Sequence, residues 1–137
     1  MKYVNNIVNV LTENDKIAFV ILFGSQIKNK TRFGSDLDIA IYFKSEPSIF
    51  ELGDLYNKLD KVISIRIDLV KLNNLYNKNP GLAFNIMNEG KLILNNDTQQ
   101  YKDYKRRVIL RYMDVKPMLD KIHSEFLERL INNNFAS

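Results

Sequence analysis

The run Asp36-Leu37-Asp38-Ile39-Ala40-Ile41-Tyr42-Phe43 constrains this chain more than any other segment. Leu37, Ile39 and Ile41 recur at a period of two, the repeat of an extended strand, so Asp36, Asp38, Ala40 and Tyr42 fall together on its opposite face. A third acid, Asp68, stands in a second alternating run in which Ile65, Ile67 and Leu69 interleave with Arg66, Asp68 and Val70. An ionised group among aliphatics that is taken out of water costs several kcal/mol unless it is paired or bound to a metal. Side chains two apart on a strand are about 6.5–7 Å apart, so Asp36 and Asp38 can reach one or two divalent ions over the sheet. Oxygen-only ligation favours Mg²⁺ or Mn²⁺ over zinc, and Asp68 on a neighbouring strand would complete the cluster.

The remaining chain supplies a small mixed fold around these strands. Val4, Ile7, Val8 and Leu11 have helical spacing and lead into a buried strand over 16–23 that ends at Gly24-Ser25. Ser48-x-x-Glu51 after Pro47 reads as a helix start, continued by Leu52, Tyr56, Leu59 and Ile63 despite the interior Gly53. Asn79-Pro80 opens a further helix, Gly90 closes it, and a short strand follows over 91–94. From Asp97 the pattern is helical. Tyr101, Tyr104, Val108, Tyr112 and Val115 form one stripe and Leu119, Ile122, Phe126 and Leu130 another, with Pro117 between them expected to bend or split the helix. The fold class is thus α+β, a small mixed sheet flanked by helices. With 137 residues there is room for one domain, 1–137, divided into a core over 1–96 and a C-terminal helical segment over 97–137.

Composition narrows the chemistry. The chain has no cysteine and one histidine, His123, which excludes disulfides, thiolate zinc sites, cysteine nucleophiles and histidine metal clusters. No apolar run approaches the roughly 18–20 residues of a membrane span, and the start of the chain lacks a basic stretch followed by an apolar one, so a cytoplasmic location is expected. The net charge of +4 is concentrated at Lys102, Lys105, Arg106, Arg107, Arg111 and Lys116. Tyr101, Tyr104 and Tyr112 among them could stack on bases, but tyrosines at helical spacing read first as a core stripe. The basic run is therefore taken as a solvated face, without direct nucleic-acid binding.

An isolated D-x-D pair reads more readily as turn formers or salt-bridge partners; its spacing to Gly24-Ser25 reverses that. A glycine and a serine directly after a buried strand aim backbone N–H groups and a hydroxyl at one space, where they can cradle phosphate oxygens. Gly24-Ser25, ten residues, Asp36-Leu37-Asp38, and then Asp68 about thirty residues on resembles the signature of the polymerase β-like nucleotidyltransferases. The short chain looks like their minimal nucleotidyltransferases, which serve as antitoxins beside HEPN-domain toxins. The specific match covers residues 17–72, and Ser35, Ile39 and Ala40 also agree with it, whereas Gln26, Asn29 and Thr31 replace the Arg, Ala or Gly common in relatives.

The resemblance implies that Gly24 and Ser25, next to Ser35 at the nucleotide, hold the β- and γ-phosphates of ATP, that Asp36 and Asp38 bind two Mg²⁺ ions, with Mn²⁺ as a substitute, and that Asp68 is the third acid. Lys28 or Arg32 would help hold the leaving pyrophosphate. It also implies a partner and a reaction: a HEPN ribonuclease toxin silenced by transfer of AMP to one of its tyrosine hydroxyls. Two alternatives stand beside this. One is a small-molecule nucleotidyltransferase of the aminoglycoside-modifying kind, against which the short length argues. The other is a binding antitoxin without catalysis, against which three mutually repelling carboxylates argue. The stripe Leu119, Ile122, Phe126 and Leu130 either folds back on the sheet or docks on the partner.

Overall fold

The computed structural model describes residues 3–24 and 37–136, with side-chain burial through residue 132. The elements run α1 (Val4–Thr12), β1 (Ile17–Phe23), β2 (Leu37–Phe43), α2 (Ile49–Val62), β3 (Ile67–Lys71), α3 (Leu75–Lys78), α4 (Pro80–Glu89), β4 (Lys91–Asn95) and α5 (Thr98–Ala136). The strands form a mixed sheet in the order β3-β2-β1-β4. β1 is antiparallel to both β2 and β4, and β2 is parallel to β3 across α2. A parallel pair needs such a crossover, whereas antiparallel neighbours do not. The mixed α+β class expected from the sequence is the one observed.

The alternation in β2 divides the interior into two layers. Leu37, Ile39, Ile41 and Phe43 face a cluster with Ile7 and Leu11 of α1 and Leu55 and Leu59 of α2. Ala40 belongs to the second cluster, with Phe19, Ala83 and Ile86 of α4, and Tyr104 and Val108 of α5. Tyr42 packs into this layer, its ring stacked on Phe19 at 5.1 Å, and Tyr101 meets Phe19 edge-on at 5.2 Å. Tyr101 and Tyr104 therefore belong to the core and Tyr112 stacks on Phe84 at its margin, while Lys102, Lys105, Arg106, Arg107, Arg111 and Lys116 are exposed.

Local chemistry explains the helix ends. Ser48 and Glu51 form the expected capping box, in which Glu51 N donates to Ser48 Oγ at 3.1 Å and Ser48 N donates to Glu51 Oε1 at 3.2 Å. The Lys16 ammonium 2.6 Å from Glu51, together with the Ser48 backbone bond, holds that carboxyl below its usual pKa. Asn79 accepts from Leu82 N to open α4, with Pro80 in its first turn. Gly90 is required by close approach, because a Cβ there would lie 2.3 Å from Ile21 Cγ2 and 2.4 Å from the Ile86 carbonyl oxygen.

Three features differ from the sequence pattern or are not decided by it. α5 is one uninterrupted helix through Pro117, so of the bend or split anticipated there the split is absent. The stripe Leu119, Ile122, Phe126 and Leu130 does not fold back on the sheet, since these residues are 37–54% exposed. The four-residue α3 has too few positions to show a period in the sequence. It follows Asn73, whose side chain donates to Phe43 O at 2.8 Å and accepts from Phe43 N at 3.0 Å, fastening the end of β2. No helix among the described residues is long and apolar enough to cross a membrane.

Candidate active site

The residues of interest gather where β1 ends and where β2 and β3 begin. Phe23 pairs with Asp38 across the antiparallel β1–β2 ladder, and Asp38 pairs with Asp68 across the parallel β2–β3 ladder. Residues paired across neighbouring strands point to the same face, and adjacent strands lie about 4.8 Å apart. The two carboxylates therefore share the sheet face that carries Ala40 and Tyr42 further along β2. That face is covered by α4 and α5 over the strand centres, while at this end Asp38 is half-buried and Asp68 exposed.

Gly24 completes the arrangement. Its φ of 92° lies in the region that favours glycine. A Cβ there would fall 1.9 Å from Asp38 Oδ2, so the turn after β1 passes directly against the Asp38 carboxylate. A bare backbone is what permits this approach.

Of the residues expected from the sequence, the structure brings Gly24, Asp38 and Asp68 together. Asp36, Ser25 and Ser35 lie outside the described residues, as do Lys28 and Arg32. Among the described residues no group of three metal-ligating side chains occurs; the pair Asp38 and Asp68 is the part of the predicted cluster that can be seen. The premise of an acid enclosed by aliphatics is corrected in one respect. No charged residue is fully buried among the described residues, because Asp38 and Asp68 sit at strand ends where the sheet face opens to water. The desolvation cost is smaller than a strand interior would impose, and oxygen ligands remain accessible to an ion and a polyphosphate. An all-oxygen donor pair on one face, beside a glycine turn with room only for backbone, suits a hard divalent cation such as Mg²⁺.

The protein adenylyltransferase MntA of Thermococcus cleftensis is 28% identical over 79 residues, 58% of this chain and 77% of that relative. A toxin–antitoxin crystallised with AMP-PNP superposes with a TM-score of 0.76 at 22% identity, over 90% of this chain and 98% of that one. A complex of a tri-AMPylated Shewanella oneidensis HEPN toxin with its MNT antitoxin superposes with a TM-score of 0.71 at 20% identity, over 92% of this chain and 97% of that one. At such identities the structural likenesses establish the fold. The profile of the polymerase beta nucleotidyltransferases matches residues 5–99, more than half the chain and all four strands, and it is to this family that the chain belongs.

Proposed function

We propose that this protein is an antitoxin that transfers AMP from ATP to a tyrosine hydroxyl of a cognate HEPN-domain toxin in the cytoplasm. The observation that carries the reading is the register that sets Asp38 opposite Asp68 on one sheet face, with the Gly24 turn against Asp38. It is supported by family membership, by the relative named as a protein adenylyltransferase, and by structural neighbours that include an AMP-PNP complex and an AMPylated toxin.

In this reading Asp36, Asp38 and Asp68 are the residues that would hold two Mg²⁺ ions. Bound there, the metal supplies neutralisation of phosphate charge and acidification of the attacking hydroxyl. Gly24, Ser25 and Ser35 would bind the nucleotide, Gly24 and Ser25 holding the β- and γ-phosphates so that the pyrophosphate leaves in line. The tyrosine oxygen forms a bond to the α-phosphorus as the bond from that phosphorus to the pyrophosphate oxygen breaks. Asp68, the more exposed of the two described acids, faces the incoming hydroxyl and takes its proton.

The test is to incubate the protein with the neighbouring gene product, α-labelled ATP and Mg²⁺, and to look for covalent label on that product. Label transfer is expected, with loss in Asp36→Asn and Asp38→Asn while folding is retained. Undiminished transfer in those variants would refute the site assignment, and inhibition of the partner without label would favour a purely binding antitoxin.

A further inference from the structure

The outer edge of β3 points to how the acceptor protein is held. In the parallel β2–β3 ladder Leu37 N donates to Arg66 O and Leu72 N donates to Ile41 O, both at 2.8 Å. With Leu37 opposite Ile67 and Ile41 opposite Lys71, residues 66, 68, 70 and 72 turn their backbone groups toward β2. The N–H and C=O groups of Ile67, Leu69 and Lys71 are left pointing outward, a row about 13 Å long. Among the described residues no strand pairs with this edge.

A groove of about 390 Å³ runs along the same edge, between β3 and α2. Ile49, Gly53 and Tyr56 line it from the helix, and Ile67, Asp68 and Leu69 from the strand. Ile49 is 78% exposed. Gly53 stands inside α2, where glycine weakens a helix relative to alanine, and nothing lies within 4 Å of where its Cβ would be. Packing therefore gives no reason for a glycine at this position, whereas a side chain there would narrow the groove. Asp68 is also among its lining residues, so the groove runs beside the strand position from which Asp68 projects to the opposite face.

We infer that β3 accepts an extended segment of the acceptor protein as an added strand, with its tyrosine opposite Asp68 and apolar residues on either side of it. The alternation of strands fixes this pattern. A residue opposite Asp68 projects to the face that carries Asp38 and Asp68, while its two neighbours, opposite Ile67 and Leu69, project into the groove against Ile49 and Tyr56. The acceptor class is thus a tyrosine flanked by apolar residues in an extended segment. The main chain of β3 provides the register, and the groove selects the flanking side chains.

This inference rests on the adenylyl-transfer reading, and two measurements separate the two. Gly53→Leu adds a branched side chain to the groove wall and leaves the acids untouched. It is expected to melt no lower than wild type and to slow label transfer to the neighbouring gene product about tenfold or more, with the loss in KM for that protein and not for ATP. In parallel, amide hydrogen exchange of the wild type with and without the same partner should show new protection at Ile67, Leu69 and Lys71. Transfer by Gly53→Leu at the wild-type rate, or unchanged exchange at those three amides, overturns the strand-addition inference. If the wild type transfers no label, the enzymatic reading fails, and the exchange measurement alone decides whether the partner occupies this edge.

Discussion

Replacing Gly24 with alanine tests the geometry of the candidate site through two separable effects. The first is conformational: a φ of 92° costs an L-residue about 1–2 kcal/mol. The second is steric, since the new Cβ would lie 1.9 Å from Asp38 Oδ2 and 3.3 Å from Asp38 Cβ. Because the nearest atom ends a short, rotatable side chain, the carboxylate can swing away at modest further cost to stability. For 137 residues the unfolding entropy is about 0.3 kcal/mol per degree, so the conformational part alone lowers Tm by about 3–7 °C. Activity should suffer more, because a reacting constellation displaced by about 1 Å loses about 100-fold in rate. The assay pairs thermal unfolding with label transfer in a cycle of Gly24→Ala, Asp38→Ala and the double variant. With the Asp38 carboxylate removed, Gly24→Ala should retain the conformational cost and lose the carboxylate's part of the steric one, leaving only the 3.3 Å approach to Cβ and giving a coupling of about 0.5 kcal/mol or more. Additive stabilities, or wild-type transfer by Gly24→Ala, would show that the turn does not press on Asp38.

Two further outcomes follow from the scaffold. Ser48→Ala removes the capping box of α2 and should lower stability by about 1 kcal/mol, read as a shift in urea midpoint, with a smaller loss in Ser48→Thr. Tyr104 is 3% exposed and donates to Leu72 O at 2.6 Å; because Leu75 N also donates to that carbonyl at 3.0 Å, Tyr104→Phe leaves it with one donor and should cost about 0.5–1.5 kcal/mol. Burial, with Tyr42 and Tyr76 adding to it, also pushes the Tyr104 hydroxyl well above the ordinary tyrosine value of 10.0. The folded state therefore keeps a proton that the unfolded chain releases. The associated stability is complete below about pH 10 and declines above it, a decline that urea midpoints from pH 9 to 11 should show in the wild type and show less in Tyr104→Phe.

Where a local rule acts on a whole element, the sequence was readable. The period-two run after Asp36 revealed both layers at once, because β2 is central and each of its faces meets a different cluster. Ser48-x-x-Glu51 and Asn79-Pro80 were legible as helix starts because capping bonds span three residues. Pro117 does not split α5, which continues past it: a proline missing one N–H bond need not end a helix whose turns on either side remain intact. The stripe beyond Pro117 has the spacing of a core face, yet its residues are exposed, and whether another element covers a face is not written in a period. Likewise, neighbouring aliphatics suggested buried acids, whereas exposure depended on where along the strands α4 and α5 stop covering the face.

That coverage is also what makes a reactive site compatible with a small core. The face of β2 that begins with Asp38 continues through Ala40 to Tyr42, and the aromatic cluster of Phe19, Tyr42, Tyr101 and Tyr104 fills its far end. Apolar burial at one end of the strands holds the register that sets Asp38 opposite Asp68 at the other, where like charges would otherwise push the two apart. Slipping β2 by one residue would send every side chain to the wrong layer, exchanging Ala40 for Ile39 beneath α4 and α5. The energy that keeps two carboxylates together is thus supplied several residues away, by groups that never touch a substrate. A substitution that loosens the Phe19–Tyr42 stack should therefore reach the chemistry through register, and a loss of activity there carries no evidence that those rings contact ATP.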